Sequence, residues 1–168
     1  LIYVNQIGAN DNLIFDGNSF ILDKNGSKIK QLKSFSEDLS SWNIEQTKPQ
    51  KNKFEKSEMS SIFDALVLGV RDYAQKCGFK TALIGLSGGI DSALVSAIAT
   101  AALGSKNIYC VSMPSKWSSS HSKSDAKDLA RRLKINFNSI PIENLMTSFE
   151  ESFIKNISFE MAELINQN

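Results

Sequence analysis

The spacing of apolar positions changes character twice along this chain. Up to about residue 35 the apolar residues fall in short β-prone triplets, Ile2-Tyr3-Val4, Leu13-Ile14-Phe15 and Phe20-Ile21-Leu22. Asp16-Gly17 lies between the last two and Asn25-Gly26 follows them, both dipeptides that favour positive φ. This predicts a few short strands joined by turns, too little sheet to be stable without a neighbouring surface. Residues 36–57 are polar and aperiodic, with Pro49 in a run of Lys, Gln and Asn, and predict a linker. Inside it Trp42 and Ile44 have two readings, an anchor packed on a neighbouring surface or solvated loop positions.

From residue 58 the pattern becomes α/β. Ile62, Phe63, Leu66, Val67, Val70, Tyr73, Ala74 and Cys77 recur at helical spacing, with Ser61 and Asp64 as a capping box and Gly78 as the stop. A strand Ala82–Leu86 follows, then the turn Ser87-Gly88-Gly89 and an apolar helix from Ile90 to Leu103, ended by Gly104. Next come a buried strand Ile108–Val111, a helix starting near Ser122 with Asp125 as box partner, a strand Ile135–Ile140 and a helix Glu143–Lys155. Strand and helix alternating at these lengths predict right-handed crossovers and a parallel sheet with helices on both faces.

Composition sets the outer bounds. The 168 residues are 42% hydrophobic and 22% charged, with a formal net charge of +1. That is globular usage, neither disordered nor repetitive. No apolar run approaches the roughly 18 to 20 residues of a membrane-spanning helix. Near-neutral charge removes the electrostatic case for nucleic acid as main partner. Cys77 and Cys110 both sit in apolar patterns and read as buried, reduced thiols of a cytoplasmic protein. The start at Leu1 and the polar Asn166-Gln167-Asn168 end suggest a piece of a longer protein.

The chemistry is concentrated in Ser87-Gly88-Gly89-Ile90-Asp91-Ser92, between the end of a strand and the start of a helix. Glycines let backbone N–H groups come close to a phosphate. The helix start adds unpaired N–H donors and a positive dipole end, and Ser87 and Ser92 add hydroxyls. A bare carboxylate at Asp91 would repel phosphate unless Mg²⁺ lies between them. The alternative is an ordinary turn and N-cap in which Asp91 only complements the helix dipole. The spacing matches neither a Walker loop nor the three-glycine dinucleotide fingerprint. No lysine stands in the loop, so charge neutralisation must come from a metal or from elsewhere.

These six residues resemble the pyrophosphate loop of the ATP pyrophosphatases. Ala65–Tyr73 before the loop, and Met113-Pro114-Ser115 through Ser122 with Ser124-Asp125-Ala126 after it, are similar to glutamine-dependent NAD⁺ synthetases. Tyr3–Gly8 and Phe15-Asp16-Gly17 resemble the closing strands of that family's nitrilase-like glutaminase domain. The resemblance implies three parts: glutaminase strands over 1–35, a linker over 36–57, and the front of a synthetase domain over 58–168. It also implies an incomplete, doubly wound parallel sheet of the adenine-nucleotide alpha-hydrolase type.

The implied activity is adenylation of the nicotinate carboxylate of deamido-NAD⁺ by Mg-ATP, followed by displacement of AMP by ammonia drawn from glutamine. On that reading Gly88, Gly89 and Ile90, with Ser87 and Ser92, cradle the β- and γ-phosphates, and Asp91 binds Mg²⁺. Gly85 and Leu86 close the strand end beneath the nucleotide, and Val111 to Met113 lie against adenine. The resemblance further implies a homodimeric core. The Ser-rich loop from Pro114 to His121, with Lys116 and Trp117, is either a lid whose lysine reaches phosphate or a solvated loop. His121 reads as an exposed loop residue, and Arg131 and Arg132 as a solvated face.

Departures from the family's pattern carry equal weight. Its glutaminase cysteine has no counterpart here, since none precedes Cys77, so no member of the Glu-Lys-Cys triad is assigned in this chain. The second acidic Mg²⁺ ligand, a lysine and most deamido-NAD⁺ contacts belong to later parts of the family's synthetase domain. The chain alone is therefore expected to make no NAD⁺, and a half sheet to expose an apolar edge and face. The competing readings are another ATP pyrophosphatase, such as a GMP synthetase-like or tRNA-thiolating enzyme, a non-catalytic adenine-nucleotide module, and a purely structural α/β domain.

Overall fold

The computed structural model describes residues 1–45 and 57–156. Of the predicted linker, residues 46–56 lie outside the described residues, as does the polar end Asn166–Asn168. The chain divides into two compact units, Leu1–Ala82 with Ala97–Asn107, and Leu83–Ser96 with Ile108–Asn168.

The first unit begins with five strands, β1 (Ile2–Tyr3), β2 (Ile7–Asn10), β3 (Leu13–Asp16), β4 (Phe20–Leu22) and β5 (Lys28–Gln31). They form an antiparallel sheet in the order β1-β4-β5 and a separate hairpin β2-β3. Pairing of Asn10 with Leu13 puts the hairpin turn at Asp11-Asn12, where Asp11 takes φ +50°. Asp16-Gly17 instead ends β3, and Gly17 and Asn18, both at positive φ, lead toward β4. Strands β2 and β5 are not evident from the sequence. Ile-Gly-Ala-Asn and Lys-Ile-Lys-Gln carry little β propensity, and ladder pairing rather than side-chain pattern defines them.

Helix α1 (Glu58–Lys76) is capped by Ser57, whose hydroxyl accepts from the Ser60 N–H at 3.3 Å. This corrects the capping box predicted at Ser61 and Asp64. Ser57 offers the same cap a turn earlier, and Glu58-Met59-Ser60 contains nothing that breaks a helix. Ser61 lies inside, its hydroxyl donating to the Ser57 carbonyl at 3.3 Å. The helix packs on β2 and β3 and buries Val67, Leu68 and Ala74. Two polar residues one turn apart hold the hairpin. The Asp72 carboxylate accepts from the Ala9 N–H at 2.8 Å, and the Lys76 ammonium donates to the Ala9 carbonyl. Much of the predicted apolar stripe, Ile62, Phe63, Leu66, Val70 and Tyr73, remains exposed. Cys77, the C-cap, is exposed rather than buried, whereas Cys110 is buried as expected. Cys77 is the C-cap, one residue past the end of α1, whereas Cys110 lies inside β7.

The second unit carries a sheet of three strands in the order β6-β7-β8: β6 (Ala82–Gly85, from Leu83 onward), β7 (Ile108–Ser112) and β8 (Asn136–Ser139). Helix α2 (Ile90–Leu103), which belongs to this unit as far as Ser96, follows β6, α3 (Ser120–Leu133) connects β7 to β8, and α4 (Glu143–Asn156) follows β8. β7 and β8 are parallel, with Tyr109 opposite Asn136 and Ser112 opposite Ser139. The predicted α/β alternation is therefore present, and α3 packs on both β7 and β8.

Burial alternates along β7 as the pleat requires, with Ile108, Cys110 and Ser112 inside and Tyr109 exposed. Leu83 of β6 is 74% exposed. Tyr109 of β7 is exposed as well, so apolar side chains of this short sheet stand in the open, as expected of a half sheet. Helix α3 starts at Ser120, not Ser122, because the Ser119 hydroxyl accepts from the Ser122 N–H at 3.0 Å. His121 consequently stands, exposed, in the first turn of a helix rather than in a loop.

Candidate functional site

The eight residues singled out in the sequence join the end of β6 to the start of α2. Leu86 fixes the strand end: it is 1% exposed, and its N–H donates to the Val111 carbonyl at 2.9 Å. Beyond it the chain turns on its own hydroxyls. The Ser87 and Ser92 oxygens are 3.1 Å apart. The Ser87 N–H donates to the Ser92 hydroxyl at 3.3 Å, and the Gly89 N–H to the Ser87 hydroxyl at 3.2 Å. Ser92 in turn donates to the Gly89 carbonyl at 3.1 Å. These bonds hold the turn closed while the N–H groups of the first helical turn after Gly89 have no carbonyl a turn earlier inside α2. Ser96, one turn further on, is fully buried, donates to the Ser92 carbonyl at 2.8 Å and touches the Cys110 sulfur at 3.7 Å.

Gly88 is the position where only glycine fits. Its φ is +86°, and a Cβ there would sit 2.2 Å from the Ser122 carbonyl oxygen and 2.9 Å from the Ser122 Cα. The loop is thus pressed against the backbone of the first turn of α3. Gly89 and Gly85 are under no such constraint, their nearest neighbours to a built Cβ being 3.4 Å and 3.8 Å away.

A cavity of about 220 Å³ opens beside the loop. Gly85, Leu86 and Ser87 line it from β6, Val111, Ser112 and Met113 from the end of β7, and Pro114, Ser118, Ser122 and Lys123 from the loop and helix that follow. It lies at the carboxyl ends of the strands, where open α/β sheets bind ligands. Its volume is below the roughly 300 Å³ at which pockets for drug-sized molecules begin, so it suits one end of a nucleotide. The structure therefore divides the predicted residues: Gly85, Leu86 and Ser87 line the cavity, while Gly88, Gly89, Ile90, Asp91 and Ser92 form the turn beside it. Asp91 and Ile90 are exposed.

The Asp91 carboxylate has no ion pair or hydrogen bond among the described residues. Those residues also include no group of three or more His, Cys, Asp or Glu side chains able to hold a metal. This donor set fits Mg²⁺ in one way only, as an ion held by a single carboxylate and completed by phosphate oxygens and water.

The loop after β7 is a hydrogen-bonded turn. The Ser115 N–H donates to the Ser118 hydroxyl at 3.0 Å, and the Trp117 N–H to the Ser115 hydroxyl at 3.2 Å. Lys116 does not line the cavity. Its ammonium lies 3.8 Å from Glu150 of α4 and 5.4 Å from the centre of the Trp117 ring. Ser118, Ser122 and Lys123 are cavity residues not identified from sequence. Their signal was Ser119 as an N-cap, which would have placed the first turn of α3 next to the loop. Arg131 and Arg132 are on a solvated face as expected, each 2.5 Å from Asp128. The hydrogen bonds from Arg131 and Arg132 hold the Asp128 carboxyl below the usual carboxylate range. Trp42 lines a cavity of the first unit with Ile44, and Lys30 stands 5.9 Å over the Trp42 ring.

A self-bonded Ser-Gly-Gly turn between a strand end and a helix start, facing a cavity at the carboxyl edge of a parallel sheet, is the arrangement of α/β proteins of the pyrophosphate-loop class. The NAD synthase family matches residues 62–168, and the chain belongs to that family. It is 45% identical over 159 residues to the glutamine-dependent NAD(+) synthetase of Synechocystis sp., covering 92% of this chain and 28% of that protein. With the enzyme of the same name from Rhodobacter capsulatus it shares 40% identity over 156 residues, 89% of this chain and 28% of the other. Among solved structures, that of the glutamine-dependent NAD+ synthetase from Acinetobacter baumannii in complex with adenosine diphosphate superposes with a TM-score of 0.83. That pair is 36% identical, over 96% of this chain and 32% of the other. The chain thus spans less than a third of the length of each of these three relatives.

Proposed function

We propose that this chain forms the nucleotide-binding front of an ATP-dependent amide-forming ligase that converts deamido-NAD⁺ to NAD⁺ with ammonia from glutamine. The observation that carries the reading is the turn Ser87–Ser92 pressed against α3 beside a cavity at the strand ends. It is supported by family membership and by the likeness to an ADP-bound synthetase. Residues 1–35 are then the closing strands of a nitrilase-like glutaminase domain, 36–57 a linker and 58–168 the front of the synthetase domain. The protein is cytoplasmic and its synthetase core dimeric.

In this reading the nicotinate carboxylate attacks the α-phosphorus of ATP, pyrophosphate leaves, and ammonia then displaces AMP to give the amide. A carboxylate oxygen is a poor leaving group and AMP a good one, so the chain's task is positioning and charge stabilisation. Ser87, Gly88, Gly89, Ile90 and Ser92 bind the β- and γ-phosphates. The Gly89 N–H, now on the Ser87 hydroxyl, is offered to a phosphate oxygen when the ligand arrives. Gly85 and Leu86 support the nucleotide from below, and Val111 to Met113 flank the adenine. Asp91 holds Mg²⁺, which when bound offsets the charge of the phosphates and of the departing pyrophosphate.

The test is pyrophosphate release by the complete gene product with ATP and ammonia, offered deamido-NAD⁺ or xanthosine monophosphate. Release only with deamido-NAD⁺, lost in Asp91→Asn, is the expected result. Release with xanthosine monophosphate would place the protein among GMP synthetase-like enzymes. Mg-independent ATP binding that survives Asp91→Ala would make it a nucleotide-binding module. The 168-residue chain by itself is expected to release no pyrophosphate and hydrolyse no glutamine.

A further inference from the structure

Loop Ser87–Ser92 contains no Lys or Arg, and its Asp91 adds negative charge where a triphosphate is to bind. A protein cation, beside the Mg²⁺ proposed at Asp91, has to come from another element. Lys116, the lysine that the sequence suggested, is occupied by Glu150 and Trp117 and lies outside the cavity. Among the residues lining the cavity one is cationic, Lys123. It is accompanied there by the hydroxyl-bearing Ser87, Ser118 and Ser122. The Lys123 ammonium makes no ion pair or hydrogen bond among the described residues, while its backbone N–H is tied to the Ser119 carbonyl at 3.3 Å.

The position of Lys123 is also fixed. It follows Ser122 directly, and the Ser122 carbonyl is the group against which Gly88 is pressed. A lysine held one residue from the tightest contact of the loop, on a helix that cannot shift without moving that loop, is preorganised as a charge partner.

We infer that Lys123 is the phosphate-binding cation of this site, reaching the triphosphate from α3 and supplying the charge that the loop lacks. The inference rests on the nucleotide-site reading above and adds a binding residue to it. An ammonium acts as a point charge, so arginine preserves much of its effect and glutamine does not.

The experiment is calorimetric binding of ATP and of adenosine to the complete gene product, as wild type, Lys123→Gln, Lys123→Arg and Lys116→Gln. Loss of one charge-assisted contact lowers ATP affinity by about tenfold. The expected result is that loss in Lys123→Gln with adenosine affinity unchanged, most of it restored in Lys123→Arg, and wild-type ATP binding in Lys116→Gln. ATP affinity within twofold of wild type in Lys123→Gln overturns the inference. So does an equal loss for adenosine, which would mark a structural role, or the ATP-specific loss falling on Lys116→Gln. If the wild type itself binds no ATP, the nucleotide site is overturned together with the inference. If wild type binds and Lys123→Gln is unaffected, only the lysine assignment falls.

Discussion

Gly88 and Ser122 touch through their backbones: a Cβ on Gly88 would lie 2.2 Å from the Ser122 carbonyl oxygen. Two segments 34 residues apart, the turn after β6 and the first turn of α3, are thereby fixed to each other. Gly88→Ala must displace α3 or open the turn, and at φ +86° it is strained in any case. A loss of more than about 1 kcal/mol in unfolding free energy is expected, with ATP affinity falling at the same time. Gly85→Ala and Gly89→Ala meet only ordinary contacts and should change stability by less than about 1 kcal/mol. Urea unfolding of the three variants decides; equal stability of the Gly88 and Gly89 variants would contradict the contact.

Asp72 and Lys76 fasten helix α1 to the hairpin β2-β3 through both backbone groups of Ala9. Asp72→Ala removes the acceptor for a partly buried N–H, at a cost of about 1–3 kcal/mol, while Asp72→Asn keeps an oxygen in place and costs less. Amide hydrogen exchange at Ala9 should accelerate in Asp72→Ala. Unchanged protection there would show that the pairing within the hairpin suffices.

Asp128 titrates below the usual carboxylate range because Arg131 and Arg132 donate to it. A carboxyl whose folded pKa is depressed contributes stability above its unfolded value, near pH 4, and that contribution is lost as pH falls through the lower folded value. Carbon-detected NMR titration should give Asp128 a midpoint lower than in unfolded chain, rising toward the ordinary value when Arg131 and then Arg132 are changed to Gln. A midpoint that stays fixed in both variants would leave the two arginines without the assigned role.

Burial within the β6-β7-β8 sheet has a sharp mutational signature. Ile108→Ala, at a site with no exposure, and Leu86→Ala should each cost about 2–5 kcal/mol. Leu83→Ser, at a position 74% exposed, should shift the 168-residue chain by less than about 0.5 kcal/mol. A cost at Leu83 comparable to that at Ile108 would mean that the Leu83 side chain is covered.

Local pattern carried most of the second unit. Helix α2 runs from Ile90 to Leu103 as its apolar residues and Gly104 imply, and the strands around it lie within a residue or two of their predicted spans. Caps were read less well. Ser57 and Ser119 won over Ser61 and Ser122 because each offers its hydroxyl one turn or less earlier, and a helix extends back to the first good cap. The first unit was harder to read, since β2 and β5 owe their extended form to a partner strand rather than to their own residues.

By itself the sequence determined the local elements of the candidate site: a strand, the turn Ser87–Ser92 and a helix, in residue types that suit a phosphate, within a text similar to one family. It did so because glycine, hydroxyl and carboxylate requirements of such a turn are local. Which side chains join that turn was decided only by the tertiary structure. Packing of α3 on β7 and β8 brings Ser122 against Gly88 and Lys123 to the cavity, and leaves Lys116 with Glu150. Contacts across 34 residues of chain depend on how strands and helices stack, which no window of the sequence contains.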